Sequence, residues 1–572
     1  MKASFALVLA VPVMLTAQAP LPLKHAPQPT SAAINAGDLM TRLYIYADDS
    51  MGGRETGTPS HVKSTAYIAA ELKRLGLTPA GDNGTFFQDV PATTRQLDVV
   101  KSSITVDGAT LKAGTDFVTQ GAPRKARPIE GASVIFGGTF GDTTGLPSAE
   151  LLAGKIVVLS APQGGGGFGG FGGGGGGRGG FGGGQAFARL VSGAAAVVRI
   201  GGATLANNAV RAATGPTANM AMQSDAPVVE ASLNLTVTES AAEKLLGMPV
   251  AQAKPGMAGK TVHGAVVFEE KVAPARNVVA ILRGSDAKMR ETYVAMGAHN
   301  DHTGYLSTEN PPEHDSLHLV NAARFAIVGM VSRGQQQTQQ QRDAVAAIKI
   351  NLDSVRQARP ARPDTIRNGA DDDGSGTVTL LEIAESFAKS GAKPKRSLLF
   401  VWHTGEEKGL WGSRWFADHP TVPRDSIVAQ LNMDMIGRGE AVDLPVGAPN
   451  YLQLVGSRRL STELGDLVEA VNKTEKMPFT FDYTFDANGH PENIYCRSDH
   501  FHYARWGIPV TFFTTGLHGD YHQVTDEPQY IAYDHMARIG QFVYDVALRV
   551  ANAPKRPVVD GVKMDPTGVC RQ

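Results

Sequence analysis

Tyr293-Val294-Ala295-Met296-Gly297-Ala298-His299-Asn300-Asp301-His302 passes from an apolar run into two imidazoles and a carboxylate within a few residues. A short apolar run that reaches a glycine predicts a buried strand, and the polar group then lies beyond its carboxyl end. The same succession recurs. Ser397–Val401 precedes Thr404-Gly405-Glu406-Glu407, Ile427–Leu431 precedes Asn432-Met433-Asp434, and Pro509–Phe513 precedes His518-Gly519-Asp520-Tyr521-His522. Val278–Leu282 supplies one more strand, and Thr377–Phe387 carries apolar residues at helical spacing behind Asp371-Asp372-Asp373-Gly374-Ser375-Gly376. Strands alternating with helices predict an α/β fold over 276–552, with a mixed, mostly parallel sheet flanked by helices.

Histidine, aspartate and glutamate thus recur at one edge of this sheet, the edge where open α/β sheets build their sites. Two imidazoles and three carboxylates make a nitrogen and oxygen donor set suited to zinc. That set suffices for two ions if one carboxylate bridges them. Each piece alone has a plainer reading. An acidic segment ahead of a helix caps it, Glu406-Glu407 is a solvated loop, and His299 is a packed core histidine. Asp434 resists such a reading, because an ionised carboxylate in an apolar stretch is costly unless it is paired or metal-bound. Five such pieces at one edge favour the ligand reading for all of them.

The composition narrows the function further. The chain has 572 residues, 42% hydrophobic and 19% charged, which excludes global disorder. Lys+Arg number 54 and Asp+Glu 55, so no general electrostatic pull on nucleic acid exists. A mean hydropathy of −0.13 argues against stable membrane insertion. With only 2 Cys a thiolate-rich metal site is excluded, and any metal must sit on His, Asp and Glu. Residues 1–19 read as a signal peptide: Lys2, an apolar core, then Thr16-Ala17-Gln18-Ala19. The expected location is secreted or periplasmic, a compartment that permits Cys496 and Cys570 to pair without showing that they do.

Along the chain, residues 20–96 read as a helical entry, with Thr65–Leu75 closed by Gly76. Residues 97–275 turn β-rich, with strands expected at Ser133–Phe136, Lys155–Leu159 and Ala195–Ile200. The near-pure glycine tract 164–184 lacks the Gly-Lys-Ser/Thr ending of a phosphate loop and reads as a flexible insertion. Residues 553–572 read as a C-terminal tail.

The ordered motifs His299-Asn300-Asp301, Asp372-Asp373-Gly374-Ser375-Gly376, Glu406-Glu407, Asp434 and His522 resemble the co-catalytic di-zinc exopeptidases. That family includes aminopeptidase Y and secreted bacterial aminopeptidases, with glutamate carboxypeptidase and the transferrin receptor as relatives. The run Gly52-Gly53-Arg54-Glu55-Thr56-Gly57 is similar to the family's N-terminal segment, and 97–275 resembles its protease-associated insert. The resemblance implies two Zn2+ per chain bridged by Asp372. His299 and Asp434 would complete one site, Glu407 and His522 the other. It implies Glu406 as the base that activates a metal-bridging water. Asp301 would orient His299, Asp499 and Asp526 would orient other ligands, and Tyr521 would donate to the developing oxyanion. The expected substrates are peptides with a free N-terminus. The oligomeric state is not legible.

Other constellations fail. Ser498-Asp499-His500 names the three triad residue types, but consecutive side chains do not aim at one another and no Gly-x-Ser-x-Gly elbow is present. His302, His314, His318, His403 and His502 read as surface or packing histidines, and His518 has no assignment. The stretch 303–370 is long for a connection between two such motifs. Its helical-looking Leu317–Val331 is a lid, a spacer or an oligomer contact. Carboxypeptidase or dipeptidase activity is the alternative, for which Arg438 and Arg497 are candidate carboxylate binders. Glutaminyl cyclisation and a non-catalytic binding role are less favoured, because no ligand or base position is missing.

Overall fold

The computed structural model describes residues 21–162, 182–223, 227–306, 308, 310–329, 337–444 and 446–572. The signal-peptide reading of 1–19 lies outside these residues, as does the glycine tract up to residue 181.

The entry forms two capped helices, α1 (Ala36–Tyr46) and α2 (Pro59–Arg74). The Asn35 side chain accepts from the Asp38 amide and the Thr58 hydroxyl from the His61 amide, which satisfies N–H groups that the first turn leaves free. Next come β1 (Thr78–Pro79), β2 (Phe87–Asp89), β3 (Arg276–Leu282) and β4 (Tyr293–His299). They are followed by α3 (His314–Val328), α4 (Gly376–Lys389), β5 (Ser397–His403) and β6 (Ile427–Met433). The chain continues through β7 (Tyr451–Val455), β8 (Thr480–Asp482), β9 (Val510–Thr514) and α5 (Tyr533–Asn552).

The nine strands form one sheet in the order β1-β3-β5-β4-β6-β9-β7-β8, with β2 also paired to β3. Its centre, β5-β4-β6-β9, is parallel. β3 joins β5 and β7 joins β9 antiparallel. The fold is therefore mixed α/β, with the parallel portion at the middle. Every residue of β4, β5 and β6 is buried, as expected of parallel strands covered on both faces. Side chains alternate across the pleat. Val294, Met296 and Ala298 pack with Leu39 and Leu43 of α1, Leu380 of α4 and Phe542 of α5. Ala295, Leu399 and Phe512 pack on the opposite face with Phe416 and Tyr503.

Three central strands run further than their apolar runs suggest. β4 and β5 stay paired through His299 opposite His403, and β6 continues through Met433. The backbone ladder is indifferent to side-chain polarity, so it carries His299 on its last rung. β7 and β8 lie at the sheet edge and were not evident from the sequence.

A second, eight-stranded sheet occupies Ser103–Ala265 and has its own core around Val134, Val158, Val198 and Leu235. A small sheet of Ala92–Leu97, Phe268–Ala273 and Ala221–Met222 lies where the chain enters and leaves it. The last twenty residues are tied down. Cys570 is disulfide-bonded to Cys496, and the Gln572 side chain bonds the Tyr495 amide and the carbonyls of Phe485 and Ala487.

Candidate metal centre and catalytic groups

The carboxyl ends of β4, β5, β6 and β9 bring the expected residues together. His299 is the last residue of β4. Its Nε2 lies 3.1 Å from Asp372 Oδ1 and 3.7 Å from Asp434 Oδ1. The other oxygen of Asp372 faces His522 Nε2 at 3.0 Å, and Glu407 Oε2 faces the same nitrogen at 3.1 Å. Asp372 thus stands between the two imidazoles, with Asp434 on one side and Glu407 on the other.

The donor set fits a metal. Ligands bound to zinc at about 2.0–2.1 Å in tetrahedral arrangement lie about 3.3 Å apart, close to these spacings. Asp372 Oδ2 and Glu407 Oε1 are buried and face imidazole nitrogens of His522 and His302 without a well-aligned hydrogen bond. The electrostatics agree. Burial alone would lower both imidazoles, yet Asp301, Asp372 and Asp434 hold His299 well above its usual range, and Glu407 and Asp372 bring His522 to about 10. Against the cost of burial, His299 and His522 hold Asp372 well below the carboxylate range. His522 and His302 likewise hold Glu407 down to about 2 although Asp372 opposes them. Carboxylates clustered in a buried place call for positive charge beside them, which a cation would supply.

The backbone is shaped around the cluster. The Asp372–Asp373 peptide is cis, and His522 adopts φ 59°, a region few non-glycine residues occupy. Gly376 opens α4 where a side chain would run into the Asp373 carboxylate and the Met433 carbonyl. Asp373 itself is no ligand. Its oxygens accept from the His299 amide at 2.9 Å, the Gly376 amide at 2.9 Å and the Met435 amide at 3.3 Å, stitching β4, α4 and the end of β6 together.

Glu406 points into a cavity bounded by Asp372, Asp434, Arg497, Tyr521, Phe485 and Phe512. Burial and the carboxylates of Glu407, Asp434 and Asp499 push its pKa well above the usual range, with His299 pulling the other way. A carboxyl so placed can both take and return a proton. The Tyr521 ring stacks on His522 at 3.9 Å, and its hydroxyl receives a hydrogen bond from Arg497 Nη2 at 3.3 Å. Arg497 is also bound to Glu492 at 2.9 Å.

The three supporting carboxylates act differently from one another. Asp301 presents its backbone oxygen to His299 Nδ1 at 3.0 Å and its carboxylate at 3.7 Å. That carboxylate also accepts from the Glu406 amide at 3.1 Å and the Thr56 hydroxyl at 2.9 Å. Asp526 grips backbone, accepting from the amides of Asp371 and Asp372 at 2.9 and 3.0 Å. Asp499 lies 3.4 Å from His403 Nδ1 behind the cluster and touches no ligand directly. Its neighbour Ser498 does, donating to Asp434 Oδ2 at 2.7 Å.

Several residues outside the expected set prove to belong to the site. His302, expected as surface or packing, is buried with Nδ1 2.8 Å from Glu407 Oε1. Its place three residues beyond the end of β4 gives no sign of this; only the folded loop does. Arg54 is fully buried and donates to the carbonyls of Asn368 and Gly369, just ahead of the aspartates. Arg438 is already paired with Asp443 and Asp520, while Arg497 remains on the cavity wall. His318 is stacked on Tyr530 at 3.7 Å and held by Asp520 at 2.8 Å, which docks α3 on the loop that carries His522. His518 faces Asp371 Oδ2 at 3.2 Å. His403 is a buried packing group against Tyr503, and His502 is likewise buried.

Comparison with known proteins agrees with this geometry. Residues 277–547 match the sequence profile of peptidase family M28. A leucine aminopeptidase 1 of Aspergillus clavatus is 27% identical over 196 residues, 32% of this chain and 47% of that protein. A probable leucine aminopeptidase of Trichophyton verrucosum is 33% identical over 104 residues, 18% of this chain and 28% of that one. The chain spans about half the length of the first of these relatives. Among solved structures, BSAP, a zinc aminopeptidase from Bacillus subtilis, is 15% identical with a TM-score of 0.48, covering 93% of this chain and 100% of that one. An aminopeptidase from Aneurinibacillus sp. strain AM-1 is 16% identical with a TM-score of 0.45, covering 93% and 97%. The matched segment, a little under half of the chain, contains His299, Asp372, Glu406, Glu407, Asp434 and His522, and it is this segment that is similar to peptidase family M28.

Proposed function

We propose that this protein is an exported di-zinc aminopeptidase that removes single residues from peptide N-termini. The observation that carries the reading is the Asp372 carboxylate, which presents one oxygen to His299 and the other to His522. Asp372 would bridge two ions, with His299 and Asp434 holding one and Glu407 and His522 the other. Zinc bound there would lower the pKa of water and polarise the scissile carbonyl. Glu406 takes the proton of the attacking water as the C–O bond forms and returns it to the amine as the C–N bond breaks. Tyr521 keeps its proton and donates a hydrogen bond from its hydroxyl to the carbonyl oxygen as negative charge develops there. Glu406 and the neighbouring carboxylates favour a free, protonated α-amine. The leucine aminopeptidases among the relatives support this polarity.

Arg497 on the cavity wall supports a second reading, a dipeptidase or carboxypeptidase that anchors a substrate carboxylate. The apolar leader at 1–19 and the Cys496–Cys570 bond support export, since disulfides persist in oxidising compartments. Among the described residues no helix is long and apolar enough to cross a membrane. The eight-stranded sheet supports reading 97–275 as a protease-associated insert. Chelation followed by zinc re-addition, with leucyl and other aminoacyl amides as substrates, tests the proposal. Activity should vanish and return, and activity indifferent to chelation would refute it.

A further inference from the structure

A second cluster of metal-ligating groups lies away from the catalytic one. His314 opens α3, Asp364 lies at the end of the 303–370 insertion, and Glu527 directly follows Asp526. Each offers a nitrogen or carboxylate oxygen within 4.8 Å of the other two. All three are at most 9% exposed. His314 Nδ1 stands 3.0 Å from Asp364 Oδ2, the nitrogen-to-oxygen spacing seen at the catalytic cluster, and its Nε2 is buried with no partner among the described residues.

The surroundings have been only partly neutralised. Asn368 donates to Glu527 at 3.1 Å and to Asp49 at 2.7 Å. Arg362 lies 3.6 Å from Asp364, and two of its nitrogens are buried without a partner. Burial, with Asp364 and Asp49 adding to it, pushes the Glu527 carboxyl well above its usual range despite Arg362. A neutral imidazole with two carboxylates is a donor set for a divalent transition ion.

We infer that His314, Asp364 and Glu527 form a further metal site for a divalent ion of the zinc class. It clasps the 303–370 insertion to the loop behind the catalytic cluster. Two of its ligands belong to the insertion. The third is covalently next to Asp526, which holds the backbone of Asp372. The site is structural, and its existence does not depend on the peptidase reading.

The test compares zinc content in full-length chains that differ only at His314, after loading with zinc and desalting. The comparison is repeated on an Asp372→Asn background so that depletion of the catalytic cluster does not mask it. The parent chain should hold one more zinc equivalent than His314→Gln in both backgrounds. Its thermal midpoint should also rise on zinc addition by several degrees more than the variant's. Glu527→Gln, which keeps size and the Asn368 contact, repeats the test if His314→Gln does not fold. Equal zinc content in parent and variant would overturn the inference, as would loss of all zinc from Asp372→Asn alone.

Discussion

Asp526 holds Asp372 by its backbone, with Oδ2 accepting the Asp372 amide at 3.0 Å while Oδ1 takes the Asp371 amide at 2.9 Å. The residue that faces both imidazoles is thus aimed by a partner 154 positions later in the chain. Groups that orient metal ligands typically account for 10–100-fold in metal affinity. Asp526→Ala should weaken zinc binding by about that factor in chelator competition. Unchanged affinity would mean that the loop holds its shape without this carboxylate.

Burial, with the carboxylates around it, keeps the pKa of Glu406 high. Glu406→Gln keeps the shape and removes the proton carrier. We expect normal zinc content and turnover reduced by about 10²–10⁴-fold, read as kcat on an aminoacyl amide. Wild-type turnover would remove Glu406 from the chemistry.

Much of this was legible because chemistry and fold share one signal. An apolar run that ends in or just before His, Asp or Glu marks both a central strand and its functional end, and so His299 and Asp434 stood out, with Glu407 four residues beyond β5. His522 and Asp372 needed the motif order as well, since neither ends a strand. What stayed hidden depends on contacts across long separations. Ser498 was noticed only as part of a failed triad, yet it serves Asp434 by a bond over 64 residues. Arg54 reaches backbone 314 and 315 residues away, which no local pattern encodes. The edge strand β8 escaped because a three-residue pairing is too short to carry a pattern.

The entry helices are locked to the catalytic core by an ion network. Arg42 of α1 binds Glu71 of α2 and both Glu382 and Glu385 of α4, and Arg74 and Lys389 add to Glu385. Burial works against it, yet Arg74, Lys389, Thr30 and Arg42 hold Glu385 down to about 2. A depressed carboxylate contributes stability that is present above its unfolded pKa, near 4.5, and is lost as pH falls toward 2. Glu385→Gln should cost on the order of 2 kcal/mol at neutral pH. The gap between variant and parent in urea unfolding should close below about pH 3. A constant gap across that range would contradict this role.

The C-terminal strap borders the cavity. Cys570 is bonded to Cys496, one residue before Arg497, and Gln572 bonds the Phe485 carbonyl; Phe485, Ile494 and Arg497 all line the cavity. Closing a chain separation of 74 residues is worth about 2–5 kcal/mol. Cys570→Ser should lower unfolding free energy by that order and raise KM more than it lowers kcat. An unchanged KM would show that the wall keeps its place without the strap.

The central claim is a two-metal site that recognises a free N-terminus. Its most direct test is zinc content together with hydrolysis of matched peptides, one with a free and one with an acetylated N-terminus, with and without chelator. At the catalytic cluster we predict two zinc equivalents that Asp372→Asn loses, cleavage of the free peptide only, and loss of cleavage on chelation. Cleavage of the acetylated peptide from its C-terminus, or hydrolysis that survives removal of the metal, would contradict the account.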